Sequence, residues 1–503
     1  MVSDGTDLME ALFHKLTQKK HILESFQQTL EKFVLPDGTA FRKFVPGIDG
    51  LGIRDFEKQL EERLEDCRQF LLKGDREFLP QLLRQVPKNL EGDVRDVYLS
   101  SLRDKVVQKA MALALWPELD RAWLPNLYSY RYDPRFHQAA ALRRAKTFLK
   151  RHGLEVFLFK TDIKEYTENI RHDLLLEKFA ARFPAETRFL GLMKIFLRQK
   201  RYIRGQVAAP TLGIPTGSPL TPLLANFYLE DLDRRMYERR IFYIRYGDDI
   251  LVMDPSEEKV RAAAELIGTC VQERGLTLSA DKTLLQSAQE PFHYLGYKFD
   301  RGRIRVGEKA LLRYRAWIKE TLDRKKYRTW PNRSSREKRL LLRRVLKDLQ
   351  IEMGHADNLL AWIKSFPFLD DDSDLRVLDQ FVKDRVRICV TREVTPKNRQ
   401  KIPESWFREA KFRSFTGAYH RVRHRRPLGP YQDWEKYFSE SRAAPEPSAW
   451  VKPLHRLRRF AKWLREALAA GANPDNTASD SSGKNDSPAP RRAPPSERRS
   501  NRP

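Results

Sequence analysis

The sequence has few cysteines and no long apolar stretch. Its 503 residues include three cysteines, Cys67, Cys270 and Cys389, which are far apart in the chain. This spacing excludes a disulfide framework and a CxxC zinc site, and it favours a protein of the reducing cytoplasm. No apolar run approaches about 18 residues, so no membrane helix is expected. The N-terminal residues are acidic at first and lack the apolar segment of a signal peptide.

The end of the chain lacks Val, Ile, Leu, Met and aromatic residues altogether. Residues 471–503 consist mainly of Ser, Pro, Asn and Arg. Such a segment buries too little apolar surface to offset the entropy lost on folding. We therefore expect a disordered tail over 471–503.

Positive charge is abundant. Lys and Arg together number 95 against 68 Asp and Glu, which gives a net charge of +27. A protein this basic usually meets a polyanion. Basic helical segments follow residue 307, and the stretch 398–426 carries aromatic residues between its basic ones, which suits stacking on RNA. The alternatives are a solvated basic face and the core of a small C-terminal domain.

Apolar periodicity predicts a mixed fold. Residues 7–33 and 53–73 each have helical spacing, while the apolar run 155–163 ends in an acid and suits a buried strand. Residues 241–253 form two short β-branched and aromatic runs around Gly-Asp-Asp, which predicts a hairpin. Further helical segments are predicted at 172–182, 222–239 and 256–274. The sequence therefore predicts an α+β fold with a central antiparallel sheet.

Three acids are predicted at the ends of neighbouring strands. Asp162 ends the first strand, and Asp248 and Asp249 occupy the hairpin tip. Carboxylates so arranged repel one another unless a cation joins them. Mg²⁺ prefers hard oxygen ligands, and two ions roughly 3.5–4 Å apart stabilise the attacking and leaving oxygens of phosphoryl transfer. Gly-Asp-Asp alone is also ordinary turn chemistry.

The segments around these acids resemble a known family. In chain order they are GIDG (47–50), VRDVYLSSLRDKVVQKAM (94–111), FKTDIKEYTENI (159–170), GIPTGSPLTPLLANFYL (213–229), YGDD (246–249), GLTLSADKT (275–283) and YLGYKF (294–299). The set resembles the fingers and palm motifs of reverse transcriptases, specifically the group II intron-like bacterial branch. The resemblance covers about residues 45–300. Each motif alone is weak, but five palm motifs in order at family-like spacing are specific.

The resemblance implies a right-hand polymerase and an RNA-directed DNA polymerase activity. It divides the chain into an N-terminal helical extension (1–44), fingers (45–154), palm (155–306), thumb (307–375), a basic C-terminal region (376–470) and the tail. It implies two Mg²⁺ ions as cofactors. Implied partners are an RNA template, a DNA or RNA primer, dNTPs and, for some relatives, a dedicated non-coding RNA.

The resemblance also assigns roles to residues. Asp162, Asp248 and Asp249 would bind the metals together with the carbonyl of Ile163, and Lys282 would donate a proton to the leaving pyrophosphate. The nucleotide would meet Arg95, Arg103, Tyr166, Thr167, Pro215, Thr216 and Gly217. The primer grip would comprise Tyr294, Leu295 and Gly296. Simpler roles remain open: Arg95 and Lys282 as solvated residues, Arg103 as the partner of Asp104, and Asn226 as a cap or core hydrogen-bonding residue.

Three positions depart from the family pattern. Thr216 stands where the family commonly has Gln, and Gly247 where this branch usually has Ala. Thr167 stands where a bulky aromatic residue blocks the ribose 2′-hydroxyl, so either Tyr166 takes over that role or sugar discrimination is relaxed. Gly-Asp-Asp also marks RNA-directed RNA polymerases, although their second acid in this region is missing here.

Two further functions remain open from the sequence. The chain could be an RNA-binding splicing cofactor of the intron maturase type, or an RNA-directed RNA polymerase. The zinc-ribbon and nuclease residues of complete mobile intron proteins are absent from the sequence, which favours a free-standing reverse transcriptase, such as those of antiphage defence systems.

Overall fold

A computed structural model describes most of the chain before residue 426. The described residues are 10–31, 33, 44–87, 94–133, 135–324, 334–354, 366, 368–393 and 397–425. They fall in the larger of two compact units, residues 1–34 and 41–432, and the other unit, 35–40 with 433–503, lies outside them. The predicted tail and the predicted basic helix at 453–469 therefore also lie outside the described residues.

Helices occur along the whole described chain. In order they are α1 Ala11–Leu16, α2 Lys19–Glu31, α3 Ile53–Glu57, α4 Leu60–Lys73, α5 Leu102–Ala122, α6 Gln138–His152, α7 His172–Arg182, α8 Thr187–Leu197, α9 Thr221–Tyr228, α10 Glu230–Glu238, α11 Glu257–Glu273, α12 Glu308–Arg324, α13 Ser335–Gly354, α14 Ser373–Thr391, α15 Asn398–Lys401, α16 Glu404–Glu409 and α17 Phe415–Arg425. Within the described part of the chain, no helix combines the length and apolarity that crossing a bilayer requires.

The strands form three sheets. They are β1 Gln81–Pro87, β2 Val94–Leu99, β3 Phe157–Thr161, β4 Arg201–Ile203, β5 Gln206–Ala208, β6 Phe242–Tyr246, β7 Asp249–Asp254, β8 Leu284–Ser287, β9 Phe292–Tyr294, β10 Tyr297–Asp300 and β11 Arg303–Val306. The strand orders are β2-β1-β4-β5, β6-β7-β3-β8 and β11-β10-β9. The second sheet, here called the central sheet, is antiparallel throughout. The predicted α+β class and central antiparallel sheet are confirmed.

Several predicted helices are interrupted. The segment 7–33 contains two helices, because the Thr17 hydroxyl donates to the carbonyls of Phe13 and His14 at the end of α1. Such local bonds compete with helix continuation. The segment 53–73 is likewise split into α3 and α4, and 222–239 into α9 and α10. In each case apolar spacing located the helical segment but not its break.

The core joins the central sheet to the helices after residue 307. Ile244 and Leu251 of the sheet share one buried cluster with Val345 of α13 and Val382 of α14. The aromatic side chains predicted to stack on RNA belong to the same cluster: Trp406, Phe407, Phe415 and Tyr419 are buried, and Phe412 packs against them. The stacking prediction is wrong for the four buried rings, because they have little surface left for a ligand. They belong to a core, as the alternative held, but this core is continuous with the central sheet and is not that of a separate C-terminal domain.

Candidate active site

The Gly-Asp-Asp segment forms the tip of a tight hairpin. Tyr246 pairs with Asp249 across β6 and β7, which leaves Gly247 and Asp248 as the two-residue turn. Of these two, Gly247 has a positive φ of +68°. Positive φ at the first central position alone is the type II′ pattern, which glycine adopts without strain. The glycine at this position therefore suits the turn that presents Asp248.

The register of the central sheet brings the third acid to this turn. Strand β3 lies antiparallel beside β7, and Thr161 pairs with Ile250. The next residue, Asp162, is therefore level with Asp249. Carboxylate oxygens of Asp162, Asp248 and Asp249 lie within 4.8 Å of one another. The structure thus brings Asp162 to two residues more than eighty positions further along the chain, as the predicted metal site requires.

The surroundings of Asp248 and Asp249 raise the pKa of both carboxyl groups. Burial and the nearby charge of Asp162 raise the pKa of Asp248. Burial and the charge of Asp248 raise the pKa of Asp249 to about 6. Three converging carboxylate oxygens, costly to hold as anions side by side, fit divalent cations with hard oxygen preference.

Asp162 is anchored by the segment before β8. Its backbone carbonyl accepts from the N–H of Ser279 at 2.8 Å, and its carboxylate accepts from the Ser279 hydroxyl and, at 2.7 Å, from the Lys282 ammonium. Lys282 is the last residue of a 3₁₀ turn at Ala280–Lys282. Partial burial lowers the pKa of Lys282, but its bond to Asp162 and the acids' charges outweigh this and raise it. The ammonium group thus neutralises part of the acid cluster.

Ile163, the predicted carbonyl ligand, follows directly. Its side chain is buried, and its backbone forms an isolated bridge with Leu278. This bridge and the bond from the Lys164 N–H to the Thr277 carbonyl, 2.9 Å long, hold the segment after Asp162 against the one that carries Lys282.

Buried polar side chains support the backbone of the hairpin turn on its interior side. The hydroxyl of Ser129 accepts from the Gly247 N–H at 2.8 Å and lies 3.0 Å from the Asn226 amide oxygen, to which it donates. The Asn226 amide nitrogen donates in turn to the Ser129 carbonyl at 2.7 Å. Both side chains are fully buried. Of the roles left open for Asn226, the core hydrogen-bonding role is the one observed.

A buried ion pair completes this support. Arg245 is fully buried, and its guanidinium donates two bonds to Asp233, one of them 2.8 Å long. The same group donates to the Gly247 carbonyl at 3.1 Å. Sequence reasoning missed Ser129, Asp233 and Arg245. The available signal was an arginine inside the otherwise apolar run before Gly-Asp-Asp, which a buried strand tolerates only with a paired acid.

The predicted nucleotide-binding loop lies across the segment that follows Asp162. The N–H groups of Gly213 and Ile214 donate to the carbonyls of Ile170 and Thr167, each at 2.8 Å. A Cβ on Gly213 would lie 2.6 Å from the Glu168 carbonyl, so only glycine permits this approach. The loop is therefore fixed to the same backbone segment that carries Asp162.

Three predicted residues continue this loop. The Pro215 carbonyl accepts from the Thr221 hydroxyl, and Gly217 has a φ of +86° with its Cβ position 3.0 Å from the Tyr98 carbonyl of β2. The hydroxyl oxygen of Thr216 is buried without a hydrogen-bond partner. The loop thus connects the segment after Asp162 to β2. The Thr216 hydroxyl in this loop has its hydrogen-bonding capacity unsatisfied.

The two candidates for the sugar gate differ in exposure. Tyr166 is buried, and its hydroxyl donates to the Ala225 carbonyl of α9. Thr167 is half-buried, and its hydroxyl donates to the Glu168 carboxylate at 2.9 Å. Because the ring of Tyr166 packs inside the protein, Thr167 is the member of the pair that remains near the surface.

The structure describes the side chain of Arg103 but not that of Arg95, the two arginines predicted to contact the nucleotide. Arg103 donates to Asp104, with Nη2 2.7 Å from Oδ1, and lies over the Phe70 ring. The pairing left open for Arg103 is therefore the one observed. Arg95 is in β2 at the register position of Val86, and its side chain lies outside the described part.

The predicted primer grip forms a second tight hairpin. Tyr294 and Tyr297 pair across β9 and β10, with Leu295 and Gly296 between them. Both turn residues have positive φ, +49° and +83°, which is the type I′ pattern. Tyr294 is buried, and burial raises its pKa well above the usual value.

Comparisons with known proteins agree with this geometry. Residues 86–299 match the family described as reverse transcriptase (RNA-dependent DNA polymerase). The chain is 25% identical to Protein YkfC of Escherichia coli K12 over 61% of its own length and 87% of that protein's. It is 25% identical to the group II intron-encoded protein LtrA of Lactococcus lactis, over 37% and 30% of the two lengths. It is 27% identical to the retron Ec86 reverse transcriptase of Escherichia coli, over 21% and 34%. The chain thus spans most of the first relative and about a third of the other two.

Proposed function

We propose that this chain, which is a reverse transcriptase of the group II intron-like bacterial branch, adds dNTPs to a 3′-hydroxyl by two-metal catalysis in the cytoplasm. The observation that carries the proposal is the convergence of Asp162, Asp248 and Asp249 within 4.8 Å. Bound Mg²⁺ would stabilise the attacking and leaving oxygens of the transferred phosphoryl group. Asp162, Asp248 and Asp249 would hold the ions, with the carbonyl of Ile163.

The protein's own contribution is positioning and charge. The hairpin turn presents Asp248, and the buried polar side chains beneath it fix its backbone, so little rearrangement is needed when the substrate arrives. Lys282, whose ammonium lies 2.7 Å from the Asp162 carboxylate, would donate a proton to the leaving pyrophosphate. The primer strand rests on the turn at Leu295 and Gly296.

The proposal includes a division of labour along the chain. The fingers (45–154) meet the nucleotide through Arg95 and Arg103, and the loop at Pro215, Thr216 and Gly217 lies beside it. The palm (155–306) carries the acids. The thumb (307–375) and the basic region after it (376–470) follow the phosphates of a template–primer duplex, because a net charge of +27 favours a polyanion. The template is RNA and the primer DNA or RNA.

Primer extension on an RNA template tests this function. Asp248→Asn should lower the rate of dNTP addition by about a thousandfold or more, since a lost metal ligand costs several kcal/mol of transition-state stabilisation. RNA binding, measured by filter retention, should survive. The matched control is Asp254→Asn at the opposite end of β7, whose carboxylate caps the Ser256 N–H. Extension by Asp248→Asn at the rate of the Asp254→Asn control would reject the proposal.

Sugar selection provides a second test of the same site. Because Thr167 is smaller than the aromatic residue common in the family, discrimination between dNTPs and NTPs is relaxed. Thr167→Phe should lower the kcat/KM for NTPs, relative to dNTPs, by roughly tenfold or more. Competition assays with both nucleotide types measure this ratio. A wild-type preference for NTPs would instead support the RNA polymerase alternative.

The biological role within this proposal is antiphage defence, with a dedicated non-coding RNA as template. Support comes from the similarity to a retron reverse transcriptase and from the missing intron-specific residues noted above. Phage plating on cells that carry the gene with its native neighbours tests the role. Protection should be lost with Asp248→Asn. Protection that never appears would reject the defence role, and protection that persists in this variant would reject a role that depends on polymerisation.

A further inference from the structure

Exposed aromatic side chains gather beside the catalytic turn. Tyr130 and Tyr132 are 52% and 47% exposed, although tyrosine normally buries most of its ring. The Tyr132 ring meets the half-buried ring of Trp116 at 5.5 Å, edge to face, and the Tyr130 ring lies 6.4 Å from that of Tyr246. These four residues, Trp116, Tyr130, Tyr132 and Tyr246, are here called the aromatic platform.

The backbone of the aromatic platform is held firmly. The Arg131 guanidinium, itself buried, binds the Asp120 carboxylate and the Leu124 carbonyl. Asp120 also accepts from the N–H of Tyr132 at 3.0 Å. The Arg131 side chain is thus bound inside the protein, whereas the neighbouring side chains of Tyr130 and Tyr132 are exposed. Tyr130 has a φ of +51°, a conformation that costs free energy in a bulky residue.

The platform is coupled to the catalytic turn at two points. Ser129, whose hydroxyl holds the Gly247 N–H at 2.8 Å, directly precedes Tyr130. Tyr246, the ring next to that of Tyr130, directly precedes Gly247. The exposed rings therefore lie beside the place where the 3′-end of a nucleic acid strand must arrive in a polymerase.

We propose that the aromatic platform stacks on unpaired nucleobases of the strand held at the catalytic turn. Every base offers a π-face to an aromatic ring, so such stacking is independent of sequence. The Lys109 ammonium, 5.9 Å from the Trp116 ring, adds positive charge next to the rings for the adjoining phosphates. A nucleic acid rather than a protein partner is favoured by the adjoining catalytic turn and by the net charge of +27. The inference rests on the proposed function.

Binding without catalysis tests the platform. The probes are a single-stranded RNA oligonucleotide carrying 2-aminopurine and a blunt RNA–DNA duplex, both in EDTA without dNTPs. The double variant Tyr130→Ala/Tyr132→Ala should bind the single strand about tenfold more weakly or worse, and it should no longer quench the 2-aminopurine. Its affinity for the duplex should be unchanged. Tyr130→Phe/Tyr132→Phe keeps both rings and should behave as the wild type.

The control is Tyr237→Ala, since Tyr237 of α10 is 47% exposed and lies before the end of β6 that is opposite the turn. It should leave both affinities unchanged. Wild-type-like single-strand binding by the double alanine variant would overturn the inference and leave the surface to a protein. An equal loss for single strand and duplex would overturn it too. Asp248→Asn should quench as the wild type does. If the wild type quenches the 2-aminopurine but extends no primer with Mg²⁺ and dNTPs, the proposed function alone is rejected.

Discussion

Two neighbouring groups of carboxylates around the Gly-Asp-Asp turn, Asp233 in one and Asp248 with Asp249 in the other, have opposite surroundings. Asp233 faces the guanidinium of Arg245 and also accepts from the Tyr243 hydroxyl at 3.0 Å. Asp248 and Asp249 instead face other acids, and the pKa of each is raised. The first group is neutralised by the protein itself. In the second group, like charges lie close together and repel one another. This arrangement is expected where a cation is to bind.

The difference teaches how one small region combines stability with reactivity. The Arg245–Asp233 pair satisfies its own hydrogen-bonding groups and, through the Gly247 carbonyl, fixes the backbone of the turn. The acids at the turn then stay close to one another despite their repulsion. Aspartate thus stabilises the fold in the first group and adds charge repulsion in the second. Substitutions in the two groups should therefore change the free energy of unfolding in opposite directions.

Asp233→Asn should have the largest effect on stability. It leaves the Arg245 charge buried without its carboxylate, which typically costs about 3–5 kcal/mol of unfolding free energy. Urea unfolding followed by circular dichroism measures it. Asp231→Asn on the same helix is the control, because Asp231 is partly exposed beside Lys178 and Arg274 and should cost about 1 kcal/mol or less. Equal losses of unfolding free energy in the two variants would contradict the stabilising role of the Arg245–Asp233 pair.

Ser129→Ala should separate positioning of the turn from overall stability. Losing the acceptor of the Gly247 N–H should cost about 1–3 kcal/mol, and primer extension should fall roughly tenfold or more because the turn is misplaced. The Mg²⁺ concentration for half-maximal extension should rise as well. Ser25→Ala, which removes a buried hydroxyl bonded to the His21 carbonyl within α2, is the control. It should leave extension unchanged; a similar loss of activity in both variants would mean that Ser129 is only structural.

Asp249→Asn should have the smallest effect on stability, and in the opposite direction. Removing one of three crowded charges should raise the unfolding free energy in EDTA by about 1 kcal/mol, the repulsion of two like unit charges about 4 Å apart when water screens them fully. Primer extension should nevertheless collapse. Thermal unfolding in EDTA, compared with Asp254→Asn, measures the gain. A loss of stability in this variant would show that the acid cluster is satisfied by the protein, as Asp233 is.

Much of the site was predictable because its chemistry is local in sequence. The hairpin around Gly247 and the strand before Asp162 follow from glycine and β-branched residues at short spacing. The family resemblance and the polymerase class are confirmed by the match over residues 86–299. The roles of Lys282, of the nucleotide-binding residues and of the primer grip stay predictions, as do the domain boundaries.

The errors have a physical origin as well. The sequence shows that Trp406 and Phe407 are aromatic residues among basic ones, but it cannot tell whether their rings face a core or a ligand. Helix breaks at Thr17 and Leu229 escaped notice because periodicity continues across them. Strands β1 and β2 carry no pattern strong enough to be identified without their partners.

The sequence by itself determined which residues carry acid chemistry, since three aspartates at predicted strand ends in a basic chain favour a cation site. Only the tertiary structure decided that Arg245, Asp233, Asn226 and Ser129 meet beneath the turn. Their side chains come from separate helices, loops and strands, and hydrogen bonds across such distances depend on the packed register of the sheet, which no local pattern encodes.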